Sequence, residues 1–293
     1  MTHVPFGRLV TAMVTPFAAD GSLDLDAAAS LATYLVDEQK NDALVVNGTT
    51  GESPTTTDDE KRRLLQVVVE AVGDRAQVVA GVGTFDTAHT IHLANQAADA
   101  GVHGLLVVTP YYSRPPQDAI ASHFLAIADA TDLPIILYDI PHRAGVPIET
   151  DTLLRVAEHP RIVAVKDAKG LPVQSAIVMA RSDLAFYAGD DAMLLPLLAV
   201  GGTGVVGTST HFSGARTAEV IATWLSGDVE AALAQYRALL PVYQGVFATQ
   251  GVMLVKAGLA ARGRSAGGVR APLLDASEAQ TAAFVELLDA AGL

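Results

Sequence analysis

A lysine can attack a carbonyl only as the neutral amine, and one lysine of this sequence is placed where neutrality is favoured. Lys166 closes the apolar run Ile162-Val163-Ala164-Val165, so its stem lies against whatever that run buries. Desolvation disfavours the ammonium and lowers its pKa, leaving an amine able to add to a carbonyl. The position equally fits a strand-end lysine that snorkels to solvent. Gly48-Thr49-Thr50-Gly51 is a second candidate. Such a turn offers successive backbone N–H groups and two hydroxyls, either as a nest for a carboxylate or as a plain connection into a helix. Tyr138 ends another apolar run, where its phenol can exchange protons with a substrate or pack as a satisfied ring. Tyr111 and Tyr112 are adjacent, so in extended chain they point in opposite directions. Arg143, in the loop after Pro141, suits bidentate carboxylate recognition or is simply solvated.

Other chemistries are poorly served. Cysteine is absent, which removes disulfides, thiolate metal sites and cysteine nucleophiles. Asp190 and Asp191 read as caps of the following helix, because no histidine or further acid stands at ligand spacing. His89 and His92 share a helical face without a third ligand and read as surface residues. Gly201-Gly202-Thr203-Gly204 lacks the spacing of a dinucleotide-binding loop. The net charge of −13, with no local basic cluster, gives nucleic acid or an anionic membrane nothing to hold. The N-terminus from Met1 to Arg8 lacks the charged start and apolar run of a signal peptide. No stretch reaches the roughly 18 to 20 apolar residues of a spanning helix, so the cytoplasm is the expected location.

The elements that must carry these residues recur in one pattern. Runs rich in β-branched residues fall at Leu9–Val14, Ala43–Asn47, Gln77–Val82, Gly104–Thr109, Pro134–Tyr138, Ile162–Lys166, Leu184–Ala188 and Gly204–Gly207. Several are continuously apolar, as expected of parallel strands buried on both faces. Their spacing averages roughly 30 residues, enough for a loop and a crossover helix. Helix signals lie between them. Thr57-Asp58-Asp59-Glu60 has the capping-box form, Asp24 to Val36 and Pro116 to Ala130 carry helical apolar spacing, and Gly101 and Gly201 fall where helices should stop. Eight such units predict a (β/α)8 TIM barrel, with an open doubly wound sheet as competitor. We expect residues 1–226 to form the barrel. Residues 227–293, with helices over Val229 to Val246, Gly251 to Ala261 and Ser277 to Ala291, should form a C-terminal helical extension packed on it. In such a barrel every candidate above falls just after a strand, on the rim where barrel enzymes place their chemistry.

Taken in order, Gly-Thr-Thr-Gly-Glu-Ser (48–53), Val-Thr-Pro-Tyr-Tyr-x-Arg-Pro (108–115), Leu-Tyr-x-Ile-Pro-x-Arg (137–143), Val-Lys-Asp (165–167) and Gly-Asp-Asp (189–191) have one meaning as a set. The chain resembles the dihydrodipicolinate synthase / N-acetylneuraminate lyase family of class I aldolases from Val14-Thr15-Pro16-Phe17 to Val269-Arg270-Ala271-Pro272-Leu273. The resemblance implies that Lys166 forms a Schiff base with pyruvate and that Thr49, Tyr138 and Tyr112 relay protons, Tyr112 coming from a neighbouring subunit. It also implies that Gly48, Thr50 and the turn amides hold the pyruvate carboxylate, and that the Val206 carbonyl completes that pocket. Arg143 would bind the carboxylate of aspartate semialdehyde. No metal or organic cofactor is implied, and a homotetramer built as a dimer of dimers is. Ala144 stands where threonine often follows the arginine, and Gly207-Thr208 replaces a usual Ser-Val. The loop positions of the family's lysine feedback site carry Asp58, Lys61, Phe85 and His89, not the histidine, asparagine and glutamate of sensitive enzymes. Three other readings stay open, one of them a metal-dependent barrel enzyme, which the poor ligand set disfavours. A lyase of keto-deoxy sugar acids or sialic acid would retain Lys166 and Tyr138, although neuraminate lyases usually carry serine at the Thr49 position and lack Arg143. A non-catalytic barrel would not need the full set.

Overall fold

The computed structural model describes residues 4–293; Met1 to His3, the start of the segment read as lacking a signal peptide, lie outside them. Eight strands, β1 (Leu9–Ala12), β2 (Ala43–Val46), β3 (Gln77–Gly81), β4 (Gly104–Val108), β5 (Ile135–Asp139), β6 (Ile162–Asp167), β7 (Ala185–Ala188) and β8 (Gly204–Gly207), pair in chain order. All pairs are parallel, and β8 returns to β1 in the register Val10↔Val206, so the sheet closes into a barrel and the open-sheet alternative falls. On the outside run α1 (Leu25–Asp37), α2 (Asp58–Val72), α3 (Thr87–Asp99) and α4 (Gln117–Asp129). The short α5 (Pro141–Ala144) precedes α6 (Thr150–Val156), α7 (Pro172–Met179), α8 (Leu194–Ala199) and α9 (Thr210–Leu225). The chain ends in α10 (Val229–Gly245), α11 (Gly251–Ala261) and α12 (Glu278–Ala290).

The helix boundaries have local causes. Asp24 caps α1 by accepting from the Ala27 amide, and Thr57 with Glu60 forms the expected capping box of α2. Gly101 and Gly201 take positive φ just after α3 and α8, as helix-ending glycines do. The nearly continuous apolar strands serve two cores. Val10, Ala12, Val45, Val79, Leu106, Ile136, Ala164, Ala185 and Val206 fill the barrel, while Leu9, Leu44, Val46, Leu105, Leu137 and Val165 pack outward against the helices. Phe6 closes the amino-terminal end of the barrel, its amide held by the Tyr187 hydroxyl, which itself donates to the Gly7 carbonyl at 2.9 Å. Phe284 and Leu288 of α12 and Tyr243 of α10 join the outer core, so the last three helices share it.

Several strand ends differ from expectation by a residue or two. The first run is a strand only to Ala12, although the Met13 amide still donates to the Val45 carbonyl. Strands β5 and β6 each run one residue further than expected, to Asp139 and Asp167, which pair with each other after a register shift at Ile135/Ile136.

Closure depends on a missing side chain. A Cβ on Gly204 would lie 1.9 Å from the Arg8 carbonyl oxygen, a backbone atom that cannot yield without breaking the β8–β1 pairing. Gly204→Ala should therefore destabilise the fold by at least about 2 kcal/mol, the scale of overpacking a closed core. Denaturant unfolding measures this, and a change below experimental error would show that the seam tolerates expansion.

Candidate active site

Ala164 faces the barrel interior, so the period of two along β6 turns Lys166 inward and Asp167 outward. The same logic on β5 turns Tyr138 inward and Asp139 outward. The register Tyr138↔Lys166 then sets the two inward side chains side by side, with the Lys166 Nζ 4.2 Å from the centre of the Tyr138 ring. Lys166 is only 4% exposed, which rules out the snorkelling alternative. Gly189 makes room for its stem: a Cβ there would sit 3.1 Å from Lys166 Cγ. Burial pushes the lysine down to about 8; the charge of Asp191 opposes that shift and Arg143 adds slightly to it. Burial also raises the Tyr138 phenol well above its ordinary range, so it is a neutral hydroxyl at physiological pH.

Comparison with the other buried lysines isolates Lys166. Lys169 pairs with Asp139 at 2.9 Å, Lys256 pairs with Glu52 at 2.7 Å, and Lys61 donates to the Thr56 carbonyl. Among the described residues Lys166 has no hydrogen-bond acceptor or ion-pair partner of its own.

The Gly48–Gly51 turn follows β2 on the same rim. Its backbone is less open than a simple nest: the amides of Gly51 and Ser53 donate to the Gly48 carbonyl, and that of Glu52 to Thr49. Among the described residues no acceptor meets the amides of Thr49 and Thr50. The Thr50 hydroxyl lies 3.5 Å from that of Thr208, after β8, and the Thr15 hydroxyl ties down the Gly51 carbonyl at 2.6 Å. Thr49 itself is exposed. Val206 is fully buried in β8 beside Val10.

Three residues differ from the sequence expectation. Tyr112 has φ +72°, and the Ser113 amide closes back on the Tyr111 carbonyl at 2.9 Å. The chain is a tight turn there, so the extended-strand alternation argument does not apply. Tyr111 is half-buried, edge-on to Phe85, while Tyr112 is 93% exposed. Among the described residues no hydrogen bond joins Thr49, Tyr138 and Tyr112. Arg143 lies not in a loop but in the helical turn α5, started by Pro141, and its guanidinium donates to the Gln250 side chain at 3.0 Å. Asp190 does cap the turn that follows it, accepting from the Ala192 amide, but Asp191 does not. Asp191 is buried across the β7–β8 gap and accepts from the amides of Thr208 and Ser209 and from the Ser209 hydroxyl at 2.5 Å. Those donors lie at the start of α9, an arrangement that suits an anion. A Cβ on Gly207 would lie 2.9 Å from Asp191 Oδ1, which accounts for glycine at that departure from the family pattern. The sequence reading took Asp191 for a cap and gave Thr208 no contact with it, because only tertiary contact brings strand ends 7 and 8 together.

His89, read as surface, is half-exposed, bonds to Asp58 at 2.9 Å and stacks on His92. Among the described residues no three His, Asp or Glu side chains converge as a metal site would require, and no helix is long and apolar enough to cross a membrane.

A closed parallel barrel with an unpaired buried lysine at the carboxyl end of its sixth strand defines a lysine-dependent, class I aldolase scaffold. The sequence model of the Dihydrodipicolinate synthetase family matches residues 5–291, and the chain belongs to that family. It is 63% identical over 288 residues to the 4-hydroxy-tetrahydrodipicolinate synthase of Acidothermus cellulolyticus, covering 98% of this chain and 93% of that one. The synthase of Cutibacterium acnes is 61% identical, with 99% of each chain covered. Among solved structures, the dihydrodipicolinate synthase of Cyanidioschyzon merolae with lysine bound superposes with a TM-score of 0.97 at 39% identity, over 99% of this chain and 100% of that one.

The low proton affinity of Lys166 is measurable without any substrate. Below pH 8 the amine should be charged and above it neutral, so its side-chain carbon resonances should titrate with a midpoint at about 8. A midpoint near that of exposed lysines, at about 10.4, would show that the amine is solvated.

Proposed function

We propose that this chain condenses pyruvate with L-aspartate 4-semialdehyde to form 4-hydroxy-tetrahydrodipicolinate, the activity named for the relatives above. The observation that carries the reading is the buried, unpaired Lys166 amine beside Tyr138. Its lone pair adds to the keto carbon of pyruvate, and loss of water leaves a protonated imine. That cation draws electrons from the methyl carbon, which gives up a proton and becomes an enamine nucleophile. The enamine carbon attacks the aldehyde. The amino group of the second substrate then adds to the imine carbon, closing the ring and expelling Lys166 as a free amine. The net loss is one water.

The remaining roles are those that the resemblance implies. Pyruvate's carboxylate would be received by Thr50 and the free amides of the Gly48–Gly51 turn, with the Val206 carbonyl completing the pocket. Thr49, Tyr138 and Tyr112 would pass protons. In this reading Tyr112 reaches the site of a neighbouring subunit, which suits a 93%-exposed tyrosine held in a left-handed turn. Arg143, steadied by Gln250, would hold the carboxylate of the second substrate. In this reading the chain would work as a homotetramer built as a dimer of dimers, in the cytoplasm, without metal or organic cofactor. Residues 227–293 act as an extension of the 1–226 barrel rather than an independent domain.

Pyruvate and borohydride together should leave an irreversible adduct on Lys166 and none on Lys166→Ala, read by mass spectrometry. Product from pyruvate and aspartate semialdehyde should be consumed by a coupled reductase. Faster cleavage of a sugar acid than condensation with the semialdehyde would assign a different second substrate, and an unlabelled wild-type protein would leave a non-catalytic barrel.

Regulation gives a separate expectation. Where sensitive relatives hold lysine, Asp58 is already engaged by His89, and Lys61 adds a buried cation bonded to Thr56. L-Lysine should therefore inhibit weakly or not at all. Strong inhibition at low millimolar concentration in a steady-state assay would overturn this.

A further inference from the structure

Two motifs have no part in the chemistry above: Glu52, which follows the Gly48–Gly51 turn, and Val269-Arg270-Ala271-Pro272-Leu273 near the C-terminus. In the fold they meet. The two oxygens of the Glu52 carboxylate are both engaged, Oε1 by the Lys256 ammonium at 2.7 Å and Oε2 by the Arg270 amide at 2.8 Å. The side chains of Lys256 and Glu52 are 3% and 2% exposed, so water does not share the pair. Lys256, on α11, also donates to the Gly268 carbonyl at 2.6 Å. Its ammonium lies 4.3 Å from the centre of the Phe17 ring, and the Arg270 guanidinium lies 4.1 Å from the same ring. Arg270 bonds the carbonyls of Gly21 and Thr55 and pairs with Glu60, whose carboxyl it holds down at about 2. The chain from Ala266 to Arg270 thus runs against the loops after β1 and β2. The Ala266 carbonyl takes the Phe17 amide, and a Cβ on Gly267 would lie 1.8 Å from the Phe17 carbonyl oxygen.

This arrangement is costly in itself. Burying both members of an ion pair removes two hydration shells, and a packed apolar pair of the same shape is often as stable or more so. Glu52 is also held at φ +55°, a left-handed conformation unfavourable for a residue with a Cβ. Stability alone therefore gives no reason for either feature. Position does: Glu52 follows Gly51 directly, and the Glu52 amide closes the turn on the Thr49 carbonyl. Whatever fixes Glu52 fixes the direction of the Thr49 and Thr50 amides.

We propose that Glu52 and Lys256 are positioning residues whose buried pair locks the Gly48–Gly51 turn in the shape that receives a 2-keto acid carboxylate, so that the C-terminal helices complete the active site. The inference rests on the reading of that turn as the pyruvate carboxylate site. Lys256 touches no substrate; it acts through Glu52 on backbone N–H groups that do. Removing its charge leaves Lys166 and Tyr138 in place, so the reaction at saturating pyruvate is preserved while recognition of pyruvate is weakened.

The test compares wild type, Lys256→Met and the neutral double variant Glu52→Gln/Lys256→Met, with folding checked by circular dichroism. The readout is the fraction of Lys166 trapped by borohydride as pyruvate is raised. Both variants should need about tenfold more pyruvate for half-trapping, a ground-state binding loss, while still reaching complete trapping. Should Lys256→Met fail to fold because it strands the Glu52 charge, the double variant, which strands none, decides the question. A folded double variant that is half-trapped at the wild-type pyruvate concentration overturns the proposal, whatever its melting temperature. No adduct on wild-type protein would instead sink the pyruvate reading, and this inference with it.

Discussion

An ammonium ion moved from water into a protein interior must either meet an acceptor or surrender its proton. This barrel contains both solutions. Lys169, Lys256 and Lys61 are buried with a carboxylate or a carbonyl against the charge, and they serve as structural ties. Lys166 is buried against a tyrosine ring, and the carboxylate that acts on it most strongly, Asp191, is already committed to the amides of Thr208 and Ser209. The consequence is an amine held down at about 8, partly neutral under physiological conditions. Much of the remaining design keeps that amine dry, open to a small molecule on one side, and free of a partner.

The closed parallel sheet supplies this environment with little local help. Leu-Tyr-Asp on β5 and Val-Lys-Asp on β6 lie in register, so one pleat sends Tyr138 and Lys166 into the barrel and Asp139 and Asp167 out of it. The outward acids then anchor the loops that follow. Asp139 binds Lys169 and the Ile148 amide, and Asp167 binds the Ser175 hydroxyl. A single alternation thus sets the reactive pair on one side of the sheet and the braces of its rim on the other. Phe6 and Tyr187 close the opposite end, leaving the carboxyl-terminal rim as the approach to Lys166.

Helix α11 reaches this rim at two places. Gln250, where α11 begins, takes a hydrogen bond from Arg143, and Lys256, farther along α11, pairs with Glu52 behind the Gly48–Gly51 turn. One helix therefore bears on both proposed carboxylate sites.

Elements with a strong local signal were legible in the sequence. The eight apolar runs, the Thr57–Glu60 capping box and the helix-ending glycines are short-range patterns, and each forms its element in the fold, with only the strand ends shifted. The rim position of Lys166 and Tyr138 was legible for the same reason, since each closes an apolar strand. What failed was local inference applied where distant chain decides. Tyr112 next to Tyr111 suggested extended alternation, but its left-handed turn breaks that pattern. Asp191 looked like a cap for its own helix and instead receives the amides that lead α9, which come beside it only when β7 and β8 pair. Glu52 and Lys256 are separated by more than two hundred residues, and no spacing rule links them. Period and capping are properties of neighbours along the chain, so the sequence by itself determined the strands, the helices and which lysine ends on the rim. Burial, charge compensation and the state of that amine are properties of neighbours in space, and only closing the barrel and docking the last helices decided them.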